Sequence, residues 1–104
     1  MTGDLNVAKD EIDIFDAKGK DKVACFTPQE RASFSNFLSQ GFVDTFRHLY
    51  PSKKQFSYFS ARTNAKAEDK GWRIDYFVIS KDHLGIVEDS CIHKEYAGSD
   101  HVPI

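Results

Sequence analysis

The stretch WRIDYFVIS, residues 72–80, constrains the fold more than any other part of the 104-residue chain. Its side chains alternate. Ile74, Tyr76 and Val78 share one face of an extended segment, and Asp75, Phe77 and Ile79 share the other. Apolar residues stand on both faces, which predicts a strand in the interior of a sheet, covered on both sides. Asp75 breaks the pattern. A carboxylate in such a strand loses hydration unless it is paired or opens onto a site. A buried ion pair with Arg73 on the same face is one solution, and a partner in a functional site is the other.

A sheet needs layers over it. The run FTPQERASFSNFLSQG provides one helix, predicted over 28–40. Thr27 is placed to cap it, Pro28 suits the first helical position and Glu30 completes a capping box. Phe34, Phe37 and Leu38 fall on one helical face, and Gly41 supplies the stop. FVDTF reads as a short strand, YPSKKQ as a turn, QFSYFSA as an alternating strand and RTNAKAEDKG as a long polar loop. GIVEDSCI is expected to be a further strand, and GSDHVPI a turn leading into another. The polar run over 9–22 reads as a loop. Several strands with one helix define an α+β layered sheet within one domain, 1–104.

Charge is unevenly spread, although the net value is only −2. Residues 1–16 carry a balance of −4, residues 47–73 carry +5, and residues 74–104 again carry −4. A basic middle between acidic ends suits a polyanion-binding arm beside a cation-binding site, although ordinary surface scatter produces the same sums. The basic arm also holds Phe46, Tyr50, Phe56, Tyr58, Phe59 and Trp72. Aromatics interleaved with Lys and Arg stack on bases or sugars and grip phosphates; Phe46 and Phe56 read better as core. Cys25 and Cys91 form no metal or redox spacing and read as free thiols in a reducing compartment. The longest apolar run falls far short of the ~18 residues of a membrane helix, so the expectation is a soluble intracellular protein with no membrane partner.

Four further residues carry candidate chemistry with Asp75. Asp4 and Asn6 are two apart and share a face in extended chain, where an acid and an amide suit activating a water and binding a phosphate oxygen. GDLN is equally an ordinary turn. Asp100 and His101 are adjacent, so in extended chain they point to opposite faces. The carboxylate orienting His101 must then come from elsewhere, and Asp75 is the natural source. Asp100 is left to face a metal or a second proton-transfer site. Oxygen donors without a Cys/His cluster favour Mg²⁺ or Mn²⁺ over zinc.

In this order the pieces GDLNVA, FTPQER, DTFRHLYP, GWRIDYF and GSDHVPI resemble the C-terminal part of exonuclease III-type apurinic/apyrimidinic (AP) endonucleases. These belong to the wider endonuclease/exonuclease/phosphatase superfamily. The resemblance covers essentially the whole chain. It implies a partial four-layered α/β sandwich, mostly one sheet with a capping helix. It also implies a Mg²⁺-dependent phosphodiesterase that cuts double-stranded DNA 5′ to an abasic site in DNA repair. Carried over by motif, Asp4 would position or deprotonate the attacking water, Asn6 would bind the scissile phosphate, and His101, held by Asp75, would contact that phosphate. Asp100 would sit at or near the metal, with Asp4, Asn6 and His101 beside it. Tyr58, Phe59 and Trp72 would line the pocket for the extruded sugar, with Arg62, Asn6 and His101 as further substrate contacts. Tyr58-Phe59 departs from the family's Phe-Trp pair.

The family's N-terminal half supplies a metal-binding Glu, a further amide-bearing residue and a catalytic Tyr, none of which has a counterpart here. The resemblance therefore implies a C-terminal fragment of a parent that is a monomer, located in the cytoplasm or nucleoid of a bacterium or in the nucleus of a eukaryote. The fragment alone is expected to be inactive. Two other readings stand beside it: a short protein that binds DNA without cutting it, and a phosphodiesterase of the same superfamily acting on another phosphoester.

Overall fold

The computed structural model describes every residue except Asp21, 61–64, Glu68 and Ala97. Its centre is strand β3, Asp75–Ser80, flanked by β1, Thr2–Asp4, and β2, Phe42–Asp44. The sheet order is β1-β3-β2 and both pairings are antiparallel. The strand predicted from WRIDYFVIS is thus the interior one, as its two apolar faces require. Its register sets Asp4 directly opposite Asp75 and Gly3 opposite Tyr76.

Helix α1, Pro28–Leu38, covers one face of this sheet. Thr27 accepts a hydrogen bond from the Glu30 amide, and the Glu30 carboxylate accepts from the Thr27 amide, so the capping box forms. Phe34 is buried and meets Tyr76 edge-on, ring centroids 4.7 Å apart. Burying such a ring contributes roughly 1.5–3 kcal/mol. Phe37 and Leu38 complete the face. The chain leaves the helix through Gly41, whose φ of +100° lies in the left-handed region that glycine tolerates.

Several sequence expectations are corrected. Phe77, on the other face of β3, is 43% exposed and lines an open groove with Met1, Ile79 and Ile86, so the sheet is covered on one side only. FVDTF is a strand only to Asp44. Asp44 then caps a short helix, α2, Thr45–Leu49, by accepting from the Arg47 amide. GIVEDSCI is not a strand: Lys81–Ile86 forms a 3₁₀ turn and residues 87–92 stay irregular. Among the described residues QFSYFSA and GSDHVPI pair through single bridges, Tyr58 to Trp72 and Tyr58 to His101. The polar run over 9–22 carries a 3₁₀ turn, Glu11–Asp13, that buries Asp13 and Ile14 completely.

Arg73 does not pair with Asp75. Its guanidinium lies 2.7 Å from Asp13 and makes two hydrogen bonds to Asp44, at 2.9 and 2.5 Å. Arg47 adds a contact to Asp13 at 2.5 Å. Two acids and two arginines leave this buried cluster neutral, which is what makes it tolerable in the interior. Burial alone would raise the Asp13 pKa, but the charges and hydrogen bonds of Arg73 and Arg47 outweigh it and hold it below its ordinary value. Among the described residues no helix is long and apolar enough to cross a membrane.

Candidate active site

Asp4 at the end of β1 and Asp75 at the start of β3 face each other across the sheet. Like charges in such a pair repel. The imidazole of His101 sits between them: Nδ1 is 2.9 Å from Asp75 Oδ2, and Nε2 is 3.7 Å from Asp4 Oδ2. Potential ligand atoms of Asp4, Asp75 and His101 all lie within 4.8 Å of one another. Desolvation lowers the His101 pKa, yet the hydrogen bond and charge of Asp75, with the charges of Asp4 and Asp100, raise it overall. The ring therefore holds a proton to higher pH than a free histidine, and Asp75 accepts the Nδ1 proton.

Backbone contacts fix His101 in place. The Tyr58 ring lies 5.0 Å from the imidazole, centroid to centroid, and the same two residues bridge through their main chains. The Phe59 amide donates to the Asp100 carbonyl at 2.7 Å, and the His101 amide donates to the Ser99 hydroxyl at 3.2 Å. Asn6 adopts a φ of +53° and donates its amide to Asp4 Oδ1 at 2.9 Å. This turn, local to the GDLN stretch, leaves both side chains at the surface, and Asn6 is among the few residue types that accept such a φ.

Beside this cluster lies a cleft of about 420 Å³, lined by Asn6, Cys25, Tyr58, Trp72, Ile74 and His101 among others. Tyr58 and Trp72 therefore stand at the cleft wall. Phe59 does not: it is 3% exposed and packed on Phe56 in the core, since alternate residues of an extended segment point opposite ways. Arg62 lies outside the described residues. Asp100 is exposed, its carboxylate takes a 3.4 Å contact from the Ser99 hydroxyl, and it stays out of the Asp4–Asp75–His101 group, whereas Asn6 donates its backbone amide to Asp4. Cys25, read from sequence only as a free thiol, lines the cleft with a φ of 74°, and Ser57, which carries no motif, is fully buried and bonds the amides of Ile74 and Asp75.

Residues 1–101 match the Endonuclease/Exonuclease/phosphatase family. The chain is 46% identical over 105 residues to an exodeoxyribonuclease of Bacillus subtilis, covering 100% of this chain and 42% of that protein. It is also 46% identical to the DNA repair nuclease APEX1 of Danio rerio, covering 100% of this chain and 34% of that one. The crystal structure of the AP endonuclease LMAP from Leishmania major superposes with a TM-score of 0.93 at 38% identity, over 97% of this chain and 32% of that one. A 3′ phosphatase from Neisseria bound to product DNA hairpin superposes with a TM-score of 0.91 at 25% identity, over 97% of this chain and 41% of that one. The chain thus spans less than half the length of these relatives. It belongs to the endonuclease/exonuclease/phosphatase family and is similar to part of its AP endonucleases.

Proposed function

We propose that this chain forms the C-terminal portion of a Mg²⁺-dependent phosphodiesterase that cuts double-stranded DNA 5′ to an abasic site. The observation that carries this reading is the imidazole of His101, a wall of the cleft, set between Asp75 and Asp4. Asp75 accepts the Nδ1 proton and raises the proton affinity of the ring, so the imidazolium of His101 presents Nε2–H to an anionic phosphate oxygen. Asp4 is within reach to orient a water and take its proton. Asn6, at the cleft edge, offers its amide to another phosphate oxygen. Tyr58 and Trp72 would flank the extruded sugar, which no base holds in the stack.

The oxygen donors suit a hard divalent cation, which members of this family generally require. Asp4 would hold it, with Asn6 and Asp100 as neighbouring donors. His101 suits it less, because Nδ1 is committed to Asp75 and a protonated Nε2 is no ligand. When bound, the ion would act as a Lewis acid on the phosphate. Further site groups would come from the length of the relatives that this chain does not span. We place the protein inside the cell as a monomer, working on DNA and not on membranes.

The test is a graft. This chain replaces the matching segment of the Bacillus subtilis exodeoxyribonuclease, and incision is followed on a duplex with one abasic analogue. The graft is expected to incise with Mg²⁺ and stop with EDTA, while the 104-residue chain alone does not incise. A folded graft that ignores the abasic duplex but hydrolyses a phosphoinositide or sphingomyelin would move the reading to another phosphoester.

A further inference from the structure

Ser57 is fully buried, and its hydroxyl does something unusual for an ordinary core serine. The Oγ accepts from two consecutive amides, Ile74 and Asp75, each at 3.1 Å. In regular extended chain, successive N–H groups point to opposite sides and cannot converge on one acceptor. The chain is therefore bent just where β3 begins. Ahead of the bend, Trp72 pairs with Tyr58; beyond it, Asp75 pairs with Asp4. The hydroxyl takes the amides that would lack a ladder partner during this change of partner.

The main chain of Ser57 holds the other half of the site. Its amide donates to the Trp72 carbonyl at 2.9 Å, and its carbonyl accepts from the Val102 amide at 2.8 Å. Val102 follows His101 directly. One buried residue thus bonds Asp75 through its side chain and the neighbour of His101 through its backbone. We propose that Ser57 is a positioning residue that sets the carboxylate of Asp75 against the imidazole of His101. A hydrogen bond of 2.9 Å between two side chains on different segments tolerates little drift, and the Ser57 hydroxyl removes the freedom of one segment relative to the other.

The kinetic half of the test rests on the nuclease reading; the spectroscopic half does not. Ser57→Ala is made in the whole protein that carries this chain, with His101 assigned by loss of its signals in His101→Gln. Imidazole ¹⁵N shifts, read above the His101 titration where the ring is neutral, report the tautomer, and single-site abasic duplex gives kcat and KM. The variant is expected to lose the uniform Nδ1–H tautomer. Its kcat should fall roughly 10–100-fold while KM changes less than about threefold. A purely structural serine would instead lower Tm and leave both the tautomer and the kcat of the folded fraction unchanged, which overturns the proposal. If Ser57→Ala does not fold, Ser57→Cys preserves volume with a far weaker acceptor and is judged by the same two outcomes. If the unsubstituted protein does not incise, the nuclease reading fails, and the tautomer alone decides the role of Ser57.

Discussion

Asp75 was the residue whose chemistry the sequence posed as a question, and the answer lies in which base it meets. Arg73 is taken by Asp13 and Asp44, so Asp75 is free to hold His101. The raised pKa of His101 sets the sign of its effects. Its contribution to stability is fully present below the ordinary value of 6.5 and is lost as pH rises through the higher folded value. Replacing Asp75 by Asn removes the largest raising influence. The His101 titration, followed by proton NMR of the ring in EDTA, is expected to move to lower pH. A midpoint equal to or above that of the unsubstituted protein would contradict the pairing. The choice between Arg73 and His101 was not legible from spacing alone. Asp13, which claims Arg73, sits in a polar run that carries no strand or helix pattern, and its burial follows only from tertiary packing.

Elements with strong local grammar were readable and those held by single contacts were not. The capping box and apolar face of α1 are set by residues within one helix, so 28–40 was predicted within two residues of the observed Pro28–Leu38. The interior position of β3 followed from alternation. The α2 helix, Thr45–Leu49, is too short to carry an apolar period, and Asp44 before it is its one local signal, a cap. QFSYFSA alternates, but among the described residues its bridges fall at Tyr58, and the Ser57 side chain takes the Ile74 and Asp75 amides in place of a ladder. Gly71 shows how tightly this region is packed: an added Cβ would lie 2.6 Å from the Phe59 ring and 2.7 Å from the Tyr58 carbonyl. Gly71→Ala is therefore expected to destabilise by about 1–3 kcal/mol in urea unfolding, from overpacking against backbone that cannot move aside. A change within about 0.5 kcal/mol, the range of an ordinary surface substitution, would show that the loop relaxes.

At the scale of the whole molecule, the neutral Asp13–Arg73–Asp44–Arg47 cluster ties the 3₁₀ turn, β2, α2 and the approach to β3 together. Arg73→Met leaves two buried carboxylates without their main partner and is expected to cost about 3–5 kcal/mol, read from the denaturant midpoint. Because the Asp13 pKa is depressed, its share of stability is present above 3.8 and disappears as pH falls through the lower folded value. The open groove at Phe77 belongs to this scale too. The alternation in WRIDYFVIS signals a face that wants covering, and this chain, 42% of the Bacillus subtilis relative's length, does not cover it. The site is likewise legible in part: Asp4, Asp75 and His101 converge, while the placing of Asp100 and Phe59 depends on which way each segment turns.

The central claim is that His101, held by Asp75, acts on the phosphate of DNA. The measurement that bears on it most directly is single-turnover incision of an abasic duplex by the Bacillus subtilis graft, with His101 intact and as His101→Ala. The account predicts Mg²⁺-dependent incision by the intact graft and a loss of roughly 10²–10⁴-fold in the variant, the range for removing a group that transfers or donates a proton in the transition state. Equal rates from the two folded proteins would contradict it.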